Sequence, residues 1–225
     1  MRSLKLSVIG ICLLFTSCTT SKLLTSGLQP AEIKDVKLME PYSNISVIAK
    51  GNRGEKDDSA SFMSGNLIID VTEKFKGQVP LTGNIFLTDP DINSSLMKEY
   101  ESLILAVQTI KDLSHLQIPP TLDKVLEAND TRFGMITVAS GFTRVRGNYG
   151  KEVVKGALLG LVTLGMYYQT PIKSTSNIHV IIVDSQNNNV AFYRRSFLQD
   201  KEPLDEAVLM KQFKDIFTGY FISKN

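Results

Sequence analysis

This chain is poor in cysteine and histidine, lacks an excess of charge of either sign, and has no long apolar run. Its 225 residues include only two cysteines and two histidines. His115 and His179 lie far apart, and neither has a Cys, Asp or Glu at metal-ligand spacing. A His-rich metal site is therefore excluded, and each is expected to be a satisfied structural histidine. The formal net charge is +2. Residues 1–17 carry Arg2 and Lys5 and no acid, so the remainder holds 23 cations against 23 acids. A balanced chain lacks the basic excess that a general nucleic-acid binder uses to neutralise phosphates. The longest apolar run, Leu6 to Phe15, is about half of the ~20 residues a membrane-spanning helix needs.

Catalytic patterns are missing as well. No Gly-x-Ser-x-Gly elbow is present. Gly51 to Gly54 lacks the Gly-Lys-Ser/Thr ending of a phosphate loop. The acid pairs Glu99/Glu101 and Asp205/Glu206 fall on exposed helix faces, where they do not converge for acid–base work. No internal repeat or low-complexity tract interrupts the chain. A non-enzymatic protein without cofactor or metal is the expectation.

The most informative stretch is Met1 to Cys18. Arg2 and Lys5 precede the apolar run, and Thr16, Ser17 and Cys18 close it with small residues, the layout of a cleaved export signal. Phe15-Thr16-Ser17-Cys18 resembles the lipobox of bacterial lipoproteins, with Phe15 where Leu is commonest. That resemblance implies cleavage before Cys18 and lipidation of its sulfur, with 1–17 as signal. The competing reading is an ordinary secretory signal that ends near a cysteine. Cys12 departs with the signal on either reading, so Cys18 has no partner for an internal disulfide. Thr19-Thr20-Ser21-Lys22 reads as a short polar tether. The absence of Asp directly after Cys18 implies, by resemblance to lipoprotein sorting, the periplasmic face of the outer membrane.

Residues 18–42 read as tether and lead-in, and 43–225 as one globular domain. Roughly 200 residues suffice for one sizeable core, and 43% of the chain is hydrophobic. Strands are expected at Ile45–Ala49, Asn84–Thr88, Phe133–Val145 with a bulge at Gly141, Ile178–Asp184 and Val190–Phe197. The last two are joined through the turn Gln186–Asn189. A helix from Ser59 or Ser61 to Lys76 is expected to turn Phe62, Leu67, Ile68, Val71 and Phe75 inward. The clearest helix opens at Ser94 or Ser95 after a turn at Asp89-Pro90-Asp91, with Leu96, Tyr100, Leu103, Val107 and Ile110 at spacings of three and four. A shorter helix starts at Pro119-Pro120, and a closing helix follows Pro203. Strands and helices in this order predict an α/β (α+β) sandwich, a mixed sheet covered by helices.

The element order resembles small outer-membrane lipoproteins whose domain is related to the curli secretion channel protein and the N-terminal domain of TolB. The matching pieces are Ile45–Ala49, Ile85–Leu87, the helix before Arg132, Phe133–Gly141, Ile178–Asp184, Val190–Arg195 and the closing helix. No long alternating hairpins accompany them, so channel formation is not implied, and fold alone does not convey function.

Gly147 to Pro171 is the most unusual stretch. Leucines and valines crowd around Gly156, Gly160 and Gly165, and Tyr167 and Tyr168 stand at its end. The Gly156/Gly160 spacing permits close helix approach. Gly156, Leu159, Gly160, Leu164, Tyr167 and Tyr168 are the candidate interaction surface, touching lipid or a partner chain. The competing reading, which the composition favours, is a core helix packed on the sheet. Arg132, Arg144, Arg146 and Lys151 are expected on a solvated surface, with Arg194 and Arg195 on opposite faces of one strand. The expected role is a lipid-anchored envelope protein that supports assembly of a complex through contacts with an envelope partner or its own copies. The alternative is a periplasmic binder of a small ligand or lipid.

Overall fold

The computed structural model describes residues 18–163 and 170–224. The expected signal peptide, 1–17, lies outside them. In chain order the elements are β1 (Cys18–Thr20), β2 (Leu24–Thr25), β3 (Val36–Met39), β4 (Tyr42–Ile48), β5 (Glu55–Lys56), α1 (Asp58–Glu73) and β6 (Leu81–Ile85). Then follow α2 (Pro90–Thr109), α3 (Pro120–Ala128), β7 (Phe133–Arg144), α4 (Asn148–Val162), β8 (Thr175–Asp184), β9 (Asn189–Gln199) and α5 (Glu206–Phe217).

The strands form one nine-stranded mixed sheet in the order β1-β9-β8-β7-β3-β6. β7, β8 and β9 make an antiparallel meander. β3 and then β4 run parallel to β7 along the same edge, and β5 adds to β4. The segment expected as tether and lead-in is thus part of the sheet. Cys18 already pairs with Leu198, Leu24 pairs with Tyr193, and Val36–Met39 is an inner strand buried between β6 and β7.

Helices cover both faces, as the sequence predicts. On one face α1 and α5 press Ile68, Val71, Leu209, Phe213, Ile216 and Phe217 against β3, β7, β8 and β9. Phe75, Phe213, Phe217 and Phe221 stack edge-on or tilted there, at 5.7–6.3 Å between centroids. On the other face α2 and α3 bury Leu96, Tyr100, Leu103, Val107, Leu122, Val125 and Leu126 over Ile136, Val138, Ile181 and Val183. The α2 stripe is as expected, except that Ile110 is only partly covered.

Several boundaries differ for local reasons. α1 starts at Asp58 because Asp57 caps it, accepting from Ala60 N. Its Phe62 is 71% exposed, not inward. Asp89-Pro90-Asp91 is no turn but the start of α2: Asp89 caps it, and Pro90 takes the first position, where a missing N–H costs nothing. Likewise Asp205, not Pro203, opens α5. Glu99, expected on an exposed face, reaches α3 and accepts from Thr121 N and Leu122 N at 3.0 and 2.9 Å, supplying the cap that Pro119 cannot.

Gly141 carries no bulge, since the ladders on both sides keep register through it. It marks a close approach of backbones. A Cβ there would lie 2.1 Å from the Thr175 carbonyl oxygen.

Candidate functional site

Register locates the site. Ser46 pairs with Phe142, Ile48 with Arg144, and Phe142 with Thr175. Side chains alternate along a strand, so these residues share a face with Ile136 and Val138, the face that α2 and α3 cover further along. α4 covers its far end. Between α4 and the sheet lies a cleft of about 780 Å³, lined by Ser46, Ile48, Phe142 and Arg144 from the strands and by Glu152, Lys155, Gly156 and Leu159 from α4.

The sequence builds this corner through one arginine and one amide. Gly147 adopts φ +85°, which reverses the chain after β7 and admits α4. The Arg144 guanidinium donates to the carbonyls of Ile172 and Gly51 at 2.9 and 3.0 Å and to the Oδ1 atoms of Asn148 and Asn52 at 2.7 and 2.9 Å. The buried Asn148 amide donates in turn to Ala49 O and Gly51 O. Together they fasten the start of α4 to the turn between β4 and β5. Arg144 is therefore a structural hub, not the solvated residue expected, and Asn148 went unnoticed because a lone Asn carries no motif. Lys155 pairs with Glu152 at 2.6 Å across the cleft wall. The cleft's charged groups are thus engaged with one another and with main chain.

α4 is not the core helix that its composition favours. Gly156 and Gly160 are buried, Gly156 lining the cleft, but the bulky residues turn away. Val154, Leu158, Leu161 and Val162 are 58, 57, 75 and 81% exposed. Their spacing of four, three and one puts them on one stripe, opposite the cleft residues Glu152, Gly156 and Leu159. Leu159, though a cleft residue, remains 50% exposed. Covering an aliphatic side chain of this size returns roughly 1.5–3 kcal/mol, so an uncovered stripe is a sizeable unspent attraction. Of the candidate surface, Gly156, Leu159 and Gly160 meet at this helix; Leu164, Tyr167 and Tyr168 lie outside the described residues.

A second apolar patch escaped the sequence reading. Phe62 of α1, Phe86 after β6 and Met97 of α2 border a groove of about 440 Å³ beside the first residues of β4. They are 71, 59 and 36% exposed. In the sequence only Met97, beside the apolar stripe of α2, points to it; Phe62 reads there as part of the inward face of α1.

Between α4 and the α2/α3 layer the sheet carries a polar chain. Arg195 Nε donates to Asn177 Oδ1 at 2.6 Å, so Asn177 Nδ2 is the donor toward Ser140 Oγ and His179 Nε2, both at 3.0 Å. His179 Nδ1 then carries the proton and donates to the Tyr193 hydroxyl at 3.1 Å. Burial, and after it the charge of Arg195, push the His179 pKa down to about 4. This is the neutral, satisfied histidine the sequence predicts; His115 is instead exposed, 3.7 Å from Asp112.

Two more of the flagged cations, Arg132 and Arg194, also have structural work, whereas Arg146 and Lys151 are exposed, as expected. Arg132 forks onto buried Asp184 with two bonds of 2.8 Å. Arg194 donates to the carbonyls of Ile216 and Thr218 at the end of α5. Among the described residues no three His, Cys, Asp or Glu side chains converge on a metal-sized point. No described helix is long and apolar enough to cross a membrane.

No family model matches the sequence, and no curated protein matches it. Among solved structures, the PelC dodecamer from Paraburkholderia phytofirmans in space group P6 aligns with 92% of this chain and 99% of its own, at 7% identity and a TM-score of 0.44. A point variant of that dodecamer in space group C2 aligns with 89% and 96%, at 7% identity and a TM-score of 0.39. Likeness this distant transfers neither residues nor role.

Proposed function

We propose that this chain is a non-enzymatic, lipid-anchored protein of the bacterial cell envelope, held through Cys18 and supporting assembly of a larger envelope complex by protein contacts. Its domain faces the periplasm from the outer membrane. The observation that carries the reading is apolar side chain left uncovered in two separate places, the α4 stripe and the patch of Phe62, Phe86 and Met97. Monomeric proteins seldom leave such groupings in water unless something docks there. The engagement of Arg144, Lys155 and Glu152 in structural bonds favours a binding role over a chemical one.

Two measurements test this. Wild-type protein takes a radiolabelled fatty acid and fractionates with membranes, and Cys18→Ala does neither; retention of the variant on membranes without label would sink the anchor. The detergent-extracted protein runs above monomer mass with a fixed partner or further copies, and a clean monomer would sink the assembly role. The cleft of about 780 Å³ supports a second reading, a small-ligand or lipid binder. On that reading lipid extract raises the melting temperature, as any ligand selective for the native state must.

A further inference from the structure

We infer that the α4 stripe of Val154, Leu158, Leu161 and Val162 lies on an anionic phospholipid surface, as a second membrane contact beside the anchor. The inference rests on lipidation of Cys18 and names what this stripe touches.

Sheet register brings the two features together. Cys18 pairs with Leu198, Leu198 with Ser176, and Ser176 with Gly141. Neighbouring strands lie ~4.8 Å apart, so the Cys18 backbone is about 14 Å across the sheet from Gly141. Gly141 lines the cleft under α4. Cys18 and α4 therefore occupy the same end of the sheet. No slack separates them, because strand pairing begins at Cys18 itself. A lipid on that residue holds this end of the domain within a few ångströms of the headgroups, where α4 is already positioned.

The charge at this end fits an anionic surface. Lys50, Arg53, Arg146, Lys151, Lys173 and Lys201 are exposed and make no ion pair among the described residues. The acids of the same segments are fewer: Glu55, Glu152, Asp200 and Glu202. Of these, Glu152 is paired with Lys155, Asp200 accepts from Lys173 N, and Glu202 accepts from the Thr143 hydroxyl. The domain as a whole is electrically balanced, so this clustering is local. Lys151 stands three residues before Val154 and so borders the stripe. A helix with an apolar face and basic neighbours lies in the headgroup plane. The Phe62 patch lies at the lateral edge of the sheet, left free for protein contacts.

The chain contains no tryptophan, so one introduced residue reports its own depth. Full-length lipidated Leu158→Trp and Phe62→Trp are each reconstituted into vesicles of phosphatidylcholine and phosphatidylglycerol, with and without brominated acyl chains. Leu158→Trp should shift to the blue and lose most of its emission to the brominated lipid, while Phe62→Trp keeps its emission. If the Leu158→Trp protein floats with the vesicles and its emission is unquenched, the proposal is overturned and the anchor stands. A blue shift without quenching, together with a mass above monomer, also overturns it, because a protein then covers the stripe. Failure to float and to take lipid label overturns the anchor and this proposal together.

Discussion

Replacing Gly141 by alanine places a methyl carbon 2.1 Å from the Thr175 carbonyl oxygen, 3.1 Å from its carbonyl carbon and 3.4 Å from Ser176 Cα. These are backbone atoms of the neighbouring strand, so no rotamer change relieves the clash. β7 and β8 must part by more than ~1 Å to restore ordinary contact, next to the last pair of their ladder, Phe142 with Thr175. Overpacking of this kind costs about 1–3 kcal/mol, and each ladder bond weakened costs about 1 kcal/mol more. Alanine returns ~0.4–1 kcal/mol by restricting the unfolded chain. The net loss is about 3 kcal/mol, which for a chain of this size lowers Tm by about 10 °C. Gly83 is the control: it lies in β6, has no positive φ, and a Cβ there meets nothing within 4 Å. Gly83→Ala should be neutral or slightly stabilising. Urea unfolding followed by far-UV circular dichroism, with both variants against wild type, measures the difference. If Gly141→Ala proved no less stable than Gly83→Ala, the close approach of β7 and β8 would be refuted.

Other expectations rest on other contacts. Arg132→Met strips the cation from a carboxylate with no side-chain exposure and should cost about 3 kcal/mol in the same urea assay. Glu99→Ala should cost about 1 kcal/mol by uncapping α3, although it sits on α2. His179 is depressed to about 4 in the fold against ~6.5 unfolded, so below pH 6.5 the unfolded chain binds the extra proton. Stability should therefore fall as pH drops from 6.5 to 4, by up to about 3 kcal/mol, and flatten below; His179→Gln should remove that part of the profile. Leu158→Glu should leave urea stability within ~0.5 kcal/mol of wild type, because the residue faces out of the fold.

What was legible in the chain follows from where the determinants lie. The α2 stripe, the Pro120 helix start and the β8–β9 hairpin are written in local periodicity and turn chemistry, and they stand where expected. β3 was hidden because four residues between Pro30 and Pro41 show no period, although Val36, Leu38 and Met39 are buried. Its strand character comes from β6 and β7, which lie far along the chain. Glu99 illustrates the same point for a site: its role exists only once α3 is beside it. α4 misled for the opposite reason. Its composition is that of a core helix, but two glycines take its buried positions and its leucines stay exposed. Helical period tells which residues share a face and not which way the face turns.

The strand order also sets a sequence of events in time. The β7–β8–β9 meander joins neighbours in the chain and can close early. Tyr42 must find Val138 across nearly a hundred residues, and Cys18 must find Leu198 across most of the protein. Long loops close late and slow folding. The segment synthesised first is therefore the last to be stitched in, and its start remains loose until β9 exists. A chain interrupted anywhere before β9 leaves Cys18 outside any folded structure.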